Sequence, residues 1–180
     1  MDIAIQSLAR ATPGFHPRFD ADSRVYRYVC YEAQQRHPLY ERSAWHLRGD
    51  HDLAAMNEAA ALILGEHDFA SFGNPTQGES TTRYVLNSVW HAERLSEWQR
   101  LLVYEVEANG FLQHMVRALV GTMIDVGSHK WTVADFQAAF AAQDRRRAKM
   151  TAPPNGLTLI EVKYGKVPND SGNAPLTGDE

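Results

Sequence analysis

The chain has 180 residues, 44% hydrophobic and 22% charged, with a formal net charge of −4. This length and composition suit one ordinary globular domain with a sizeable core, and the charge excludes a polycation that binds nucleic acid by bulk electrostatics alone. No apolar run reaches the roughly 18 residues that a transmembrane helix needs, so no membrane partner is expected. Cys30 is the sole cysteine, which excludes an internal disulfide and fits a reducing compartment. The start, Met1-Asp2-Ile3-Ala4, lacks the basic and apolar regions of a signal peptide. A cytoplasmic location is therefore expected.

Taken in chain order, residues 1–8 carry Ile3, Ala4, Ile5 and Leu8 and suggest a strand entering from elsewhere. Residues 25–31 alternate with period two and are β-branched or aromatic, hence a strand, with Cys30 inside it as a small buried residue. Residues 34–48 contain Pro38 and predict an irregular connection that ends extended at Ala44-Trp45-His46-Leu47. Asp50 or Asp52 caps a helix through Leu53, Met56, Ala59, Ala60 and Leu64, and Gly65 stops it. Phe69 and Phe72 follow as apolar anchors. Residues 73–82 are rich in Gly, Pro, Asn, Ser and Thr and predict an exposed, mobile loop. Strands over residues 84–91 and 100–108 come next, with a turn at 93–97.

Phe111 opens the next helix. Its apolar residues Leu112, Met115, Val116, Leu119, Val120, Met123 and Ile124 form one buried stripe. A step of about 100° per residue puts His114, Arg117 and Gly121 on the other side. Glycine inside a helix costs about 1 kcal/mol relative to alanine, so Gly121 implies a close approach by another segment. An arginine on such a face calls for a planar anionic partner, a carboxylate or a phosphate. A surface arginine snorkelling along an amphipathic helix is the competing reading. Another helix starts near Thr132, and Arg145, Arg146, Arg147 and Lys149 suit a solvated helix end that complements its dipole. A last strand covers residues 157–163, and from Gly165 the polar, turn-rich composition predicts a disordered tail. The pattern as a whole is α+β: an antiparallel sheet with helices on one face.

Every basic residue through position 117 is arginine. Arginine favours bidentate contacts to phosphate or carboxylate over diffuse charge. Aromatics are interleaved with it in Phe15-His16-Pro17-Arg18-Phe19 and Arg24-Val25-Tyr26-Arg27-Tyr28. That arrangement suits base stacking beside a phosphate track; it suits equally a strand with aromatics inward and arginines outward. No HxH, HExxH or Cys/His cluster occurs, so no metal site is expected.

Five stretches, in order, resemble the TruA-type tRNA pseudouridine synthases. They are Phe15-His16-Pro17-Arg18-Phe19-Asp20, Arg24-Val25-Tyr26-Arg27-Tyr28, and Leu64-Gly65-Glu66-His67-Asp68-Phe69-Ala70-Ser71-Phe72. Then come Asn109-Gly110-Phe111-Leu112-Gln113-His114-Met115-Val116-Arg117 and Thr151-Ala152-Pro153-Pro154-Asn155-Gly156-Leu157. The family's Gly-Arg-Thr-Asp-Ala-Gly-Val-His-type segment, which carries the nucleophilic aspartate, has no counterpart in this sequence. The resemblance implies the C-terminal half of such an enzyme. Residues 1–24 would be a linker and incoming strand from a missing N-terminal half, 25–164 the C-terminal α/β subdomain, and 165–180 the tail.

The family isomerises uridine to pseudouridine in the tRNA anticodon arm with no metal or organic cofactor. The target base must leave the stack for its atoms to be reached. The resemblance makes Arg117 the partner that keeps the catalytic aspartate ionised and oriented, Tyr26 the tyrosine against the target uracil, and Leu157 a leucine that packs on the base. Tyr28 stays a core residue on the same strand face as Tyr26. RNA contacts are implied at Phe15, His16, Arg18 and Phe19, and at Gln77, Ser80 and Arg83. Partners implied are tRNA, an N-terminal half if encoded separately, and a second copy in a homodimer. The chain alone is expected to be inactive without the aspartate. The alternative is a stand-alone RNA-binding module that keeps the fold without catalysis.

Overall fold

Period-two alternation produces the strand around which the rest is arranged. The computed structural model describes residues 3–75, 80–96, 99–148 and 150–165. Its strands are β1 (Ser23–Glu32), β2 (Trp45–Leu47), β3 (Gly65–Asp68), β4 (Thr82–Ser96), β5 (Gln99–Ala108) and β6 (Leu157–Lys163). Its helices are α1 (Leu53–Ala61), α2 (Met115–Gly127) and α3 (Val133–Ala141). The six strands form one sheet in the order β2-β1-β5-β4-β3, with β6 also paired to β1. The α+β class expected from the sequence is present. The sheet is mixed rather than purely antiparallel, because β2 runs parallel to the end of β1, with Trp45 opposite Cys30.

The helices cover one face. Tyr28 and Cys30 of β1, Leu102, Tyr104, Val106 and Ala108 of β5, and Val85 and Trp90 of β4 meet α1, α2 and α3 in one buried core. Within it the Ser88 and Tyr104 hydroxyls bond each other at 2.8 Å, and the Trp90 indole N–H donates to Met123 Sδ at 3.2 Å, so these buried polar atoms are satisfied. Asn57 of α1 grips the Trp90 backbone from both sides, accepting from its N–H at 2.8 Å and donating to its carbonyl at 3.1 Å.

Local chemistry fixes the helix starts. Asp52 caps α1 by accepting from the Ala55 N–H at 3.0 Å, and Thr132 with Asp135 forms a reciprocal capping box on α3. α1 ends at Ala61, before Leu64, and Gly65, with φ of +92°, opens β3, a strand the sequence reading missed. α2 begins at Met115 rather than Phe111, since His114 holds a left-handed φ of 65° that a right-handed helix cannot contain.

α2 is buried on almost every side: only Arg117 and Asp125 escape. The reason is the approach that Gly121 implied. A methyl at Gly121 would lie 2.7 Å from the Met150 carbonyl oxygen and 3.2 Å from the Ala152 nitrogen, so the backbone of residues 150–152 runs against this face. A second stripe is thereby covered that amphipathic counting assigns to solvent.

Other expectations need correction. Residues 3–8 form no strand, and Ile3, Ile5 and Leu8 are exposed; apolar alternation alone supplies no partner for backbone hydrogen bonds. The expected loop at 73–82 is anchored at its start, where Gly73 is buried and Asn74 bridges to Gln113. β4 continues through the expected turn to Ser96, held by cross-strand pairing with β5. Arg145, Arg146 and Arg147 lie in a turn beyond α3, not at its end; there Arg146 pairs with Asp144 at 2.8 Å. Lys149 and the tail from residue 166 on lie outside the described residues.

Candidate active site

The segment before β6 is where distant parts of the chain converge. Arg117, in the first turn of α2, donates from Nε to the Ala152 carbonyl at 2.6 Å, while the Ala152 N–H donates back to the Arg117 carbonyl at 2.9 Å. One residue on, the Pro153 carbonyl accepts from the Tyr28 hydroxyl at 2.7 Å. Asn155 donates to the carbonyls of Glu41 and Ala44 at 3.0 and 2.8 Å. Gly156 fits closely over β1: a methyl there would lie 2.6 Å from the Val29 carbonyl oxygen and 2.8 Å from the Tyr28 ring. These contacts deliver Leu157, half-buried, opposite Tyr28 at the start of β6.

Burial pushes the Tyr28 hydroxyl well above its ordinary pKa, with Cys30 adding to the rise and the positive charge of Arg117 offsetting part of it. Tyr28 therefore stays protonated and acts as a donor. Arg117 is half-buried, and beyond Ala152 its one further partner among the described residues is the His114 ring, at a long 3.5 Å. It forms no ion pair among the described residues. The positive end of the α2 dipole adds to its field, so an anion is favoured there.

Tyr26 lies two residues before Tyr28 on β1 and is half-buried, its ring edge-on to Phe111 at 5.0 Å. Against β6 the register shifts between Val25 and Tyr26, so Tyr26 faces Leu159 while Val25 faces Glu161. Such a bulge re-aims side chains locally. The Tyr26 hydroxyl has no hydrogen-bond partner among the described residues.

Beside Tyr26 opens a cavity of about 330 Å³ lined by Arg18, Phe19, Arg24, Tyr26, Arg83, Gly110 and Phe111. Three guanidinium groups and three aromatic rings line it, and no carboxylate does. Arg24 donates to the carbonyls of Asn109 and Ala21 at 2.9 and 3.4 Å and to that of Arg18. Arg83 donates to the Thr82 and Ser80 carbonyls at 2.6 and 3.2 Å; burial lowers its pKa somewhat, yet a guanidinium stays charged. Wider depressions of about 630 Å³ beside Glu32 and Arg100, and about 810 Å³ along α3, mix acids with bases. They lack this one-signed lining.

The sequence-predicted residues thus fall into groups. Arg18, Phe19, Tyr26 and Arg83 meet at the cavity, and Ser80 sits beside it, bonded to Arg83. Arg117 and Leu157 are joined through residues 152–157. Phe15 packs edge-on against Tyr164 at 5.2 Å, and His16 faces into its own turn. Gln77 lies outside the described residues. Arg24 and Phe111 were not singled out from sequence as site residues. For Arg24 the signal was present, since it shares strand parity with Tyr26 and Tyr28. Among the described residues no group of three or more His, Cys, Asp or Glu is placed to hold a metal ion.

The α+β fold, a mixed six-stranded sheet with helices on one face, is consistent with a pseudouridine synthase-like domain. Comparison with known proteins agrees: the family tRNA pseudouridine synthase matches residues 59–165. A tRNA pseudouridine synthase A of Chloroflexus aurantiacus is 44% identical over 166 residues, 91% of this chain and 59% of that protein. One of Geobacter sulfurreducens is 39% identical over 163 residues, 91% of this chain and 65% of its own length. One of Acinetobacter baumannii is 37% identical over 164 residues, 91% and 60% respectively. The chain belongs to the tRNA pseudouridine synthase family, and it spans about three-fifths of the length of these relatives.

Proposed function

We propose that this chain supplies the arginine, tyrosine and leucine side of a tRNA pseudouridine synthase active site acting on a uridine of the anticodon arm. The observation that carries the reading is Arg117, fastened through Nε to a carbonyl while the rest of its fork has no carboxylate partner among the described residues. A carboxylate placed against that fork, at the positive end of α2, is held ionised at neutral pH. In this reading the aspartate comes from outside this chain, whose sequence lacks the Gly-Arg-Thr-Asp-type segment. In the isomerisation the C1′–N1 glycosidic bond breaks, the uracil turns, C5 bonds to C1′, and the C5 proton leaves while N1 takes up a proton, so the product is an isomer of the substrate. Tyr26 lies against the uracil with a hydroxyl free to assist that proton, and Leu157 packs on the base. Arg18 and Arg83 bind phosphate, Phe19 offers a stacking face, and Ser80 and Gln77 extend the RNA contact. The same reading includes a homodimer in the cytoplasm.

The test combines the purified chain with an N-terminal portion of a tRNA pseudouridine synthase bearing the aspartate, on anticodon-arm RNA, with pseudouridine read by mass spectrometry. Product is expected from the combination and not from the chain alone. Arg117→Met should lower the rate by about 100-fold or more, the scale for losing an electrostatic stabiliser in an enclosed site. Undiminished product from Arg117→Met would sink the assignment. The second reading, a stand-alone RNA-binding module, is favoured by one observation: three arginines and three aromatic rings line one cavity with no carboxylate among its lining residues. RNA binding by the chain with no activity gained from the added portion would replace the first reading with the second.

A further inference from the structure

The turn over residues 15–20 forms one wall of the arginine-lined cavity, and its centre is an imidazole. His16 Nδ1 accepts from the backbone N–H groups of Arg18 at 3.2 Å and of Phe19 at 3.3 Å. The Asp20 carboxylate accepts from the His16 N–H at 2.7 Å, and the Asp20 N–H donates to the His16 carbonyl at 3.0 Å. The His16 ring also lies against Phe19, centroids 4.3 Å apart. From outside, the Tyr164 hydroxyl donates to the Pro17 carbonyl at 2.7 Å, and Arg24 donates to the Arg18 carbonyl. This turn is closed by side chains.

We propose that His16 is a positioning residue, the internal cap that aims Arg18 and Phe19 into the cavity, and not a phosphate ligand. The inference rests on the reading of that cavity as an RNA site and assigns its parts. Short polar side chains, Asn and Asp above all, accept from backbone N–H groups two or three residues on and so hold turns. The His16 Nδ1 occupies the place of an asparagine Oδ1 and serves the same two amides. An accepting Nδ1 carries no proton, so the neutral ring is protonated on Nε2. A cationic imidazole, the form suited to phosphate, puts a proton on Nδ1 directed at two N–H donors and opens the turn that presents Arg18. Arg18 has an exposed guanidinium with no protein partner among the described residues, so the phosphate contact falls to it.

The two roles make opposite demands on a substitution. His16→Asn keeps an acceptor and carries no charge; His16→Lys keeps a cation and has no acceptor; His16→Ala has neither. In the full chain, amide hydrogen exchange followed by NMR at Arg18 and Phe19 should accelerate about fivefold or more in the Ala and Lys variants, the scale of one lost hydrogen bond, and stay within about twofold in the Asn variant. Affinity for a fluorescein-labelled anticodon-arm hairpin, read by anisotropy, should follow the same order, with Asn near wild type and Lys weakened with Ala. Unchanged exchange in His16→Ala, or a Lys variant that binds as tightly as wild type while Asn weakens, overturns the proposal. If the wild-type chain does not bind the hairpin, the RNA reading of the cavity fails, and the exchange pattern alone decides whether His16 caps the turn.

Discussion

The two ends of β1 use arginine in opposite ways. At the Glu32 end the chain provides its own counter-charge. Glu32 is almost fully buried, accepts from the His51 backbone N–H and imidazole at 2.9 and 2.8 Å, and receives two bonds from Arg100, which also donates to the His51 carbonyl at 2.7 Å. Burial pushes the Glu32 carboxyl up, but the hydrogen bonds from His51 and Arg100 outweigh it and leave its pKa below the ordinary value. At Arg24, eight residues and about 26 Å back along the strand, Arg18, Arg24 and Arg83 line a cavity without a carboxylate, and Arg117, nearer the middle of β1 beside Tyr28, is held by a backbone carbonyl. An arginine fastened to a carbonyl keeps its charge uncancelled. One end is electrostatically closed and structural; the other is rigid yet left able to take an anion.

The largest effect should come from opening the closed end. Glu32→Gln leaves the partly exposed Arg100 without its carboxylate and weakens the bonds that the buried Glu32 accepts, and urea unfolding should show a loss of about 2 to 3 kcal/mol at pH 7. The sign with pH is fixed by the lowered pKa: the ionised Glu32 stabilises the fold above the unfolded value of about 4.3, and that contribution disappears as pH falls through the folded-state value. The gap between wild type and Glu32→Gln should therefore shrink on acidification. A gap independent of pH between about 7 and 3 would contradict the closed-charge account.

A much smaller stability cost is expected at Arg117. Arg117→Met removes one bond to Ala152 and strands no buried carboxylate among the described residues, so about 1 kcal/mol should be lost in the same unfolding assay. A loss as large as that of Glu32→Gln would erase the difference between the ends.

The finest comparison lies within one strand face. Tyr28→Phe leaves the Pro153 carbonyl without its donor and should cost about 1 kcal/mol. Tyr26→Phe removes a hydroxyl with no protein partner among the described residues and should stay within about 0.5 kcal/mol. Paired thermal melts read both, and equal costs would place Tyr26 with Tyr28 as a purely structural residue.

Elements with a strong local pattern were legible in the sequence. β6 spans the residues its pattern predicted, β1 exceeds its predicted span by a few residues at its ends, and α3 starts beside Thr132, where a helix was expected to begin. In each case the information is local: alternation, or a capping residue with its amide target close by in the chain. Gly121 shows the limit of such reading. A helix glycine announced a close neighbour, but only the fold named it as residues 150–152, nearly thirty positions on. β3 escaped notice because Gly65-Glu66-His67-Asp68 has no apolar alternation and is a strand through pairing with Thr82–Val85. Phe111 joined the site through its edge-on packing with Tyr26, and the role of Arg24 came from the carbonyls it reaches, Asn109 among them. The sequence by itself determined which segments could be strands or helices and which motifs the chain carries, since those depend on neighbours a few residues apart. Only the tertiary structure decided which arginines meet a carboxylate and which meet a carbonyl, because a charge's partner is set by segments brought together from across the chain.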